Sequence, residues 1–192
     1  PTIRPDGSGL PTVLYALQNG SMPGFSVAEC DDLLGQIQDL LCLAVPSVSS
    51  VVASVDKPTG RVRLVFHQSR EDGSLEVPVS ASDGTIKWLV LVTSLLTEHV
   101  FLVEEPENYL HPWMQREYIE LMRNHGGPFP GYIFSTHSET ILNALEPSEV
   151  IIVNHNGLKT IAKRVGNPHS LQRAIDNTGF GLGFYYLTGG LE

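Results

Sequence analysis

Residues 101–112 read FLVEEPENYLHP. This stretch opens with an apolar run at residues 101–103, which ends at two adjacent carboxylates, Glu104 and Glu105. The run predicts a strand, and ligands of open parallel sheets bind where the strands end. Pro106 stops the strand, so we expect the chain to turn outward into a loop before a helix that begins near Pro112. Two neighbouring carboxylates are costly to bury unless a cation or a bound water uses them. Mg²⁺ takes oxygen ligands and shares them with substrate phosphates, which suits Glu104.

Residues 132–142, YIFSTHSETIL, repeat this design. A short apolar run at residues 132–134 leads into Ser135, Thr136, His137 and Ser138. A histidine at a strand end can donate a hydrogen bond to a phosphate oxygen or hold an attacking water. Because the two runs fall in neighbouring strand–helix–strand units, we expect the residues at their ends to meet. Each signal alone also has a simpler interpretation, since acidic pairs often cap helices in solvent and lone histidines often pack or cap.

The second half of the chain alternates apolar strands with amphipathic helices, in the order VFLVEE, WMQREYIELMRN, GYIFST, SETILNAL and EVIIVN. Such alternation predicts βαβ units and an α/β fold with a mostly parallel sheet flanked by helices. Lys159–Arg164 is then expected to be an edge strand. The last section, residues 166–192, is a Gly-rich tail that we expect to be partly helical or loose, and GFGLGF at positions 179–184 is interpreted as a flexible terminus.

The N-terminal section, residues 1–78, is expected to be a small α+β unit, because helical apolar spacing gives way to β-branched, alternating segments. The predicted helices are Leu10–Leu17 and Val27–Leu43, the strands lie within Val48–Val55 and Arg61–Phe66, and the turns fall at residues 57–60 and 71–74. A buried helix is expected at Thr85–Glu98, where Trp88 would be a packing aromatic. The residues expected to cap this helix are Ser82, Asp83 and Gly84.

The composition is that of one folded domain, with 42% hydrophobic and 17% charged residues in 192. A formal net charge of -9 argues against broad, nonspecific nucleic-acid binding, which requires Lys and Arg. Cys30 and Cys42 lack CxxC spacing, so we expect two buried, reduced thiols in a cytoplasmic protein. An apolar run of about 18 residues and a basic leader are both missing from the sequence, which predicts no membrane span. The chain begins at Pro1 rather than Met, as a fragment or a processed product would.

The two strand-end motifs together resemble the C-terminal half of ABC-type ATPase heads, which have a P-loop NTPase fold. The resemblance is strongest to the OLD-like and SMC-like AAA proteins of prokaryotes. FLVEEPENYLHP resembles their Walker B motif followed by the D-loop, and STHS with His137 resembles their switch histidine. Upstream, VSASDGTIKWLVL at residues 79–91 resembles their signature segment. The three motifs occur in the order of the family and cover residues 79–155.

The resemblance implies ATP and Mg²⁺ as cofactors and a role for each matching residue. Glu104 would take the metal-associated position, although many such heads have Asp there. Glu105 would be the catalytic glutamate, and His137 would contact the γ-phosphate. The residues that would bind nucleotide or communicate across a dimer of heads are Ser82, Asp83, Gly84, Asn108 and His111.

The sequence contains no GxxxxGK[ST], so these residues do not include a phosphate-binding loop. The resemblance therefore implies the C-terminal portion of an ATP-hydrolysing head, with its lobe at residues 79–165 and little activity without an N-terminal phosphate-loop lobe. Such a head would form a homodimer and drive an effector protein or act on nucleic acid. Two alternatives stay open: a non-catalytic half-head that serves as a protein-interaction or dimerisation module, and a magnesium-dependent nuclease that uses Glu104 and Glu105.

Overall fold

A computed structural model of the chain describes residues 1–69, 77–98, 100–125 and 131–191. The helices in this part of the chain are α1 (Leu10–Gln18), α2 (Val27–Ala44), α3 (Asp83–Thr97), α4 (Pro112–His125), α5 (Glu139–Leu142), α6 (Pro168–Thr178) and α7 (Leu182–Leu187). The strands are β1 (Ser50–Asp56), β2 (Arg61–Gln68), β3 (Val77–Val79), β4 (Val100–Glu104), β5 (Gly131–Ser135), β6 (Ile151–His155) and β7 (Thr160–Arg164). A 3₁₀ turn at Pro147–Glu149 precedes β6.

Backbone packing divides the chain into two compact units. The first unit consists of Pro1–Phe101 and His125–Tyr132, and the second consists of Leu102–Asn124 and Ile133–Glu192. The sequence predicts a different division, into residues 1–78, 79–165 and 166–192, and that division stays a prediction.

In the first unit, α2 begins at a reciprocal cap formed by Ser26 and Glu29. The Ser26 hydroxyl accepts a hydrogen bond from the Glu29 backbone N–H, and the Glu29 carboxylate accepts one from the Ser26 backbone N–H at 2.7 Å. The Ser26 hydroxyl also donates to this carboxylate at 2.7 Å. The hydrogen bonds that the carboxylate accepts from the Ser26 backbone N–H and hydroxyl lower the pKa of Glu29 below its ordinary value. Two otherwise unpaired donors at the helix start are thereby satisfied, which is why the helix begins here. The predicted helix at Val27–Leu43 is confirmed and extends to Ala44.

The three-stranded sheet of the first unit is antiparallel, as the alternating residues predict. β1 pairs with β2 from Ser50 opposite His67 to Asp56 opposite Arg61. β3 pairs with the last three residues of β2, from Phe66 opposite Val79 to Gln68 opposite Val77. The connection between β1 and β2 ends at Gly60, whose φ of 66° is readily adopted by glycine. The second predicted turn, at residues 71–74, lies outside the described residues.

Helix α2 is fixed to this sheet and to α3 by two side-chain contacts with backbone. The Gln38 amide both donates to the Val51 carbonyl at 2.7 Å and accepts from the Val51 N–H at 3.0 Å, which satisfies the edge of β1. Trp88 of α3 is completely buried, and its indole N–H donates to the Leu40 carbonyl at 3.0 Å. The prediction that Trp88 is a packing aromatic is confirmed.

Of the two cysteines, Cys30 is buried and Cys42 is only partly buried, and both are free thiols.

The second unit contains most of α4, the C-terminal parts of the neighbouring strands β4 and β5, and a hairpin of β6 and β7. β6 pairs with β7 in antiparallel orientation, from Ile151 opposite Arg164 to His155 opposite Thr160. Only residues 156–159 join the two strands, which is too short for the crossover that a parallel pair needs. The sequence-based assignment of β6 to a parallel βαβ series was therefore wrong, because it ignored the tight turn around Gly157, whose φ is 84°.

The C-terminal section contains α6 and α7, so the expectation of a partly helical terminus is confirmed. The interpretation of residues 179–184 as a flexible terminus was wrong, because this segment is packed. Leu182 of α7 is 2% exposed and belongs to a buried apolar cluster with Leu142, Val150, Val165 and Leu191. The adjacent glycine, Gly183, sits directly against α5. A side chain at that position would collide with Glu139, whose Cα and carbonyl oxygen would lie 3.0 Å from the added Cβ. The glycines at the start of α7 therefore permit close packing rather than disorder.

We expect Gly183→Ala to destabilise the protein by about 1–3 kcal/mol, because the added methyl group overpacks the contact with α5. Gly35→Ala is the matched control, since Gly35 is also inside a helix but has open space around its Cα. The control is expected to leave stability unchanged or raise it by up to about 1 kcal/mol. Urea denaturation of both variants measures the difference, and equal midpoints would contradict the close packing of α7.

Candidate functional site

The ends of β4 and β5 lie side by side in the second unit. Glu104 is the last residue of β4 and is exposed, and the partly buried Glu105 follows it. The Glu105 backbone N–H donates to the carbonyl of Ser135, the last residue of β5, at 3.0 Å. The expectation that the two strand-end motifs meet is therefore confirmed for their backbones.

The backbone leaves β4 through two residues with left-handed conformations. Glu105 has φ of 44° and Tyr109 has φ of 68°, although neither is a glycine. This conformation crowds the Cβ atom and costs about 1–2 kcal/mol per residue. Residues held in such conformations concentrate at functional sites, where the surrounding structure compensates the strain. The segment between them corresponds to the predicted D-loop.

Asn108 fixes the orientation of the Glu105 carboxylate. Its side-chain amide donates to Oε2 of Glu105 at 2.8 Å, and its backbone N–H donates to the Glu105 carbonyl at 3.2 Å. The predicted catalytic glutamate is thus held by a residue of its own loop. His111 lies at the start of α4, where its ring Nδ1 accepts from the Trp113 N–H at 3.2 Å. The structure therefore gives His111 a helix-capping contact.

Glu107 is the residue of this region that sequence reasoning did not include among the site residues. Its Oε1 accepts two hydrogen bonds from the loop after β5, one from the Thr136 hydroxyl at 2.8 Å and one from the His137 backbone N–H at 2.9 Å. Its Oε2 is buried and has no hydrogen-bond partner among the described residues. No spacing rule links residues about 30 positions apart in sequence, so only the fold shows this contact.

Gln115 of α4 makes a second bridge between the same two loops. Its buried side-chain amide donates to the Leu110 carbonyl at 3.0 Å and accepts from the Ser138 hydroxyl at 2.6 Å. Ser138 also caps α5, since its hydroxyl accepts from the Ile141 backbone N–H. Both ends of the buried amide are satisfied, so the bridge adds rigidity without leaving an unpaired polar group.

His137 is exposed and is held at two separate points. Its backbone N–H is bound by Glu107, and its ring Nδ1 lies 3.0 Å from the hydroxyl oxygen of Tyr186 on α7. The Tyr186 contact joins the predicted switch histidine to the C-terminal section, to which the sequence assigned no function. The ring's other nitrogen, Nε2, takes no part in either contact.

Ser82, Asp83 and Gly84 lie in the first unit, at the beginning of α3. The Ser82 hydroxyl accepts from the Thr85 backbone N–H at 3.1 Å and shares a hydrogen bond with the Thr85 hydroxyl at 2.8 Å. The expectation that these residues open the helix is confirmed. Their predicted contact with a nucleotide stays a prediction.

The acidic residues at the end of β4 fit a magnesium ion that is shared with a ligand. The described residues contain no group of three or more His, Cys, Asp or Glu side chains arranged to hold a metal. Mg²⁺ does not require such a group, because it commonly binds through one or two carboxylates, several waters and substrate phosphates. An exposed carboxylate at Glu104 has the ligand chemistry for that arrangement.

The described residues form a mixed α/β architecture, and comparison with known proteins supports a P-loop NTPase type of fold. The model of the family described as "AAA domain, putative AbiEii toxin, Type IV TA system" matches residues 18–143, more than half of the 192-residue chain. The chain belongs to this AAA domain family. No curated protein sequence matches the chain.

Three solved structures have similar folds. An SMC ATPase, from work on ATP-driven dimerization and DNA-stimulated activation of SMC ATPases, matches with a TM-score of 0.53 and 10% identity, covering 78% of this chain and 92% of that one. An SMC head bound to the C-terminal winged-helix domain of ScpA matches with a TM-score of 0.52 and 11% identity, covering 84% of this chain and 52% of that one. An Smc head domain with a coiled coil and joint from Pyrococcus yayanosii has a TM-score of 0.51 and 10% identity, covering 78% and 29%. At these identities the likeness shows a shared fold.

The described part of the chain contains no helix that is both long and apolar enough to cross a membrane.

We expect Glu107→Ala to lower the free energy of unfolding by about 1.5–3 kcal/mol, because two donors lose a charged acceptor. Glu120→Ala is the matched control, since Glu120 forms a surface ion pair with Arg123 and its side chain is 56% exposed. Surface pairs of this kind contribute about 0–1 kcal/mol. Chemical denaturation compares the two variants, and a Glu107→Ala loss no larger than that of the control would show that Glu107 does not connect the loops.

Proposed function

We propose that this chain is the C-terminal portion of an ATP-binding and ATP-hydrolysing head of the ABC type, similar to OLD-like and SMC-like proteins. The observation that carries the proposal is the joining of the β4 and β5 ends through Glu107. It brings two acidic residues and the segment bearing a histidine to one edge of the sheet. Membership in an AAA domain family and the fold shared with SMC ATPase heads support it.

The reaction would be transfer of the γ-phosphoryl group of ATP to water, giving ADP and phosphate. A magnesium ion held by Glu104 and by waters would neutralise charge on the phosphate oxygens. Glu105 would orient the attacking water, and Asn108 would hold the Glu105 carboxylate in place. His137 would donate a hydrogen bond to a γ-phosphate oxygen. Catalysis of this kind depends mainly on positioning and charge stabilisation, which suits a strained, hydrogen-bonded loop.

The phosphate loop would come from a lobe outside this sequence. Without the backbone cradle and lysine of GxxxxGK[ST], a nucleotide lacks most of its phosphate contacts. The strands that carry the site also leave apolar side chains uncovered, because Leu102 of β4 is 71% exposed and Ile133 of β5 is 68% exposed. Apolar strand residues are normally buried in α/β sheets, so these two favour a further packed element.

Two heads would enclose each ATP in a dimer. The start of α3, with Ser82, Asp83 and Gly84, would present helix N–H groups to the ATP of the partner head, and Asn108 and His111 would communicate across the interface. The similar SMC structures come from studies of ATP-driven dimerization and of a complex with ScpA. We extend both ideas to this protein as a proposal, with an effector protein or nucleic acid as the partner and the cytoplasm as the location.

A second candidate function is a half-head that binds a partner without hydrolysis. The missing phosphate-loop motif and the exposed apolar strand residues favour it. The two functions differ in one result. Catalysis requires that a phosphate-loop lobe restore ATP binding and turnover, whereas an interaction module binds its partner whether or not ATP is present.

We expect Glu105→Gln, made in the protein assembled with its phosphate-loop lobe, to reduce ATP turnover by about a hundredfold or more while ATP binding is retained. The amide keeps the shape of the carboxylate but cannot polarise the attacking water. Phosphate release measures turnover, and equilibrium binding of a labelled ATP analogue measures affinity. Glu117→Gln on α4 is the control, and we expect its turnover to match the wild type. Hydrolysis by Glu105→Gln at the wild-type rate would exclude the role given to Glu105.

A further inference from the structure

The contact between Tyr186 and His137 connects the C-terminal helix to the strand-end site. The Tyr186 hydroxyl oxygen lies 3.0 Å from Nδ1 of His137, across 49 positions of sequence. Tyr186 is partly buried, and its hydroxyl makes no other hydrogen bond among the described residues. The phenol therefore has its proton available for the imidazole.

A neutral imidazole has one N–H donor and one bare acceptor, and the partner of one nitrogen determines the state of the other. If the phenol donates to Nδ1, the ring proton is on Nε2, and Nε2 becomes a donor. If Nδ1 instead donates to the phenol oxygen, Nε2 is a bare lone pair that repels a phosphate oxygen. Only the first arrangement suits a residue that contacts a γ-phosphate.

Helix α7 is anchored well enough to hold this geometry. The Gly183 backbone N–H donates to the Asn143 side chain at 2.7 Å, and Leu182 is buried beside α5. The neighbouring Tyr185 hydroxyl has a different partner, the Thr178 hydroxyl at 3.1 Å, and makes no contact with His137. Tyr186 therefore extends from a fixed helix rather than from a loose terminus, and a fixed partner restricts the ring of His137 without a further loss of entropy.

We propose that Tyr186 is a positioning residue that donates its hydroxyl proton to Nδ1 of His137 and thereby keeps the Nε2–H of that ring as the donor for a phosphate oxygen. Tyr186 itself does not touch the nucleotide. The proposal rests on the proposed function for the identity of the ligand. The α6–α7 section is on this basis a part of the reaction site, with His137 held by Glu107 at its backbone and by Tyr186 at its ring.

Tyr186→Phe tests the proposal, and Tyr185→Phe is a matched control. Both changes remove one phenol oxygen from the same helix, but only the first removes the contact with His137. The first measurement is the tautomer of His137 in the isolated chain, read from ring ¹⁵N chemical shifts at about pH 8, where an ordinary histidine is neutral. We expect the Nε2–H form in the wild type and in Tyr185→Phe, and a mixture of both forms in Tyr186→Phe.

The second measurement is ATP turnover by the protein assembled with its phosphate-loop lobe. We expect Tyr186→Phe to lower kcat by roughly three- to tenfold, with little change in KM, because the loss of one hydrogen bond corresponds to such a factor. Tyr185→Phe is expected to keep the wild-type kcat.

Three results would overturn the proposal: an Nδ1–H tautomer in the wild type, an unchanged tautomer in Tyr186→Phe, or equal losses of kcat in the two variants. The tautomer measurement needs neither ATP nor a second lobe. If the assembled wild-type protein does not hydrolyse ATP, the proposed function fails, while the ring shifts still decide whether Tyr186 sets the state of His137.

Discussion

The carboxylate of Glu107 is the contact on which the candidate site depends. Its Oε1 accepts from both the Thr136 hydroxyl and the His137 backbone N–H, so the loop after β4 and the loop after β5 form one unit. Thr136 in turn accepts from the Ser138 backbone N–H, and Ser138 begins α5. Through the packing of α5 against α7, the chain of contacts returns to His137 at Tyr186. The exposed histidine is therefore held both at its backbone and at its ring.

The charge pattern around these bonds is consistent with the proposed binding of a cation together with an anionic ligand. Glu104, Glu105 and Glu107 lie within four successive residues of a chain whose formal net charge is -9. Glu105 and Glu107 have partners within the protein, but Glu104 is exposed at the end of its strand. In the proposed function, Glu104 would help hold a magnesium ion, whose charge would reduce the repulsion between the acidic loop and a phosphate ligand. The left-handed backbone at Glu105 is a cost of the kind found at functional sites, as the proposed role of this residue requires.

Much of the fold could be predicted from the sequence, because local signals and tertiary structure agree. The apolar run that ends at Glu104, the cap at Ser82 and the alternation in Arg61–Phe66 each produced the element expected of them. The sequence also led us to expect that the two strand ends meet, because both apolar runs stop at polar residues. Local signals do not describe contacts between distant side chains, and Glu107 and Tyr186 were missed for that reason.

The two errors in the predicted fold have different physical causes. The GFGLGF segment was interpreted as loose because glycine favours turns, but Gly183 is there because α5 approaches its backbone closely. β6 was assigned to a parallel series because it follows a helix, but four residues suffice to turn it back onto β7. The packing of α5 against Gly183 is not explicit in a single sequence, whereas the Asn156-Gly157 pair is a hairpin signal that the sequence does contain.

The most direct test is a structure of this chain assembled with its phosphate-loop lobe, Mg²⁺ and a non-hydrolysable ATP analogue. We expect the γ-phosphate beside the ends of β4 and β5, with Glu104 at the hydrated metal, the Glu105 carboxylate at a water in line with the phosphate, and Nε2 of His137 at a phosphate oxygen. An analogue bound elsewhere, or bound with Glu105 and His137 turned away from its phosphates, would contradict the assignment of this sheet edge as the ATP site.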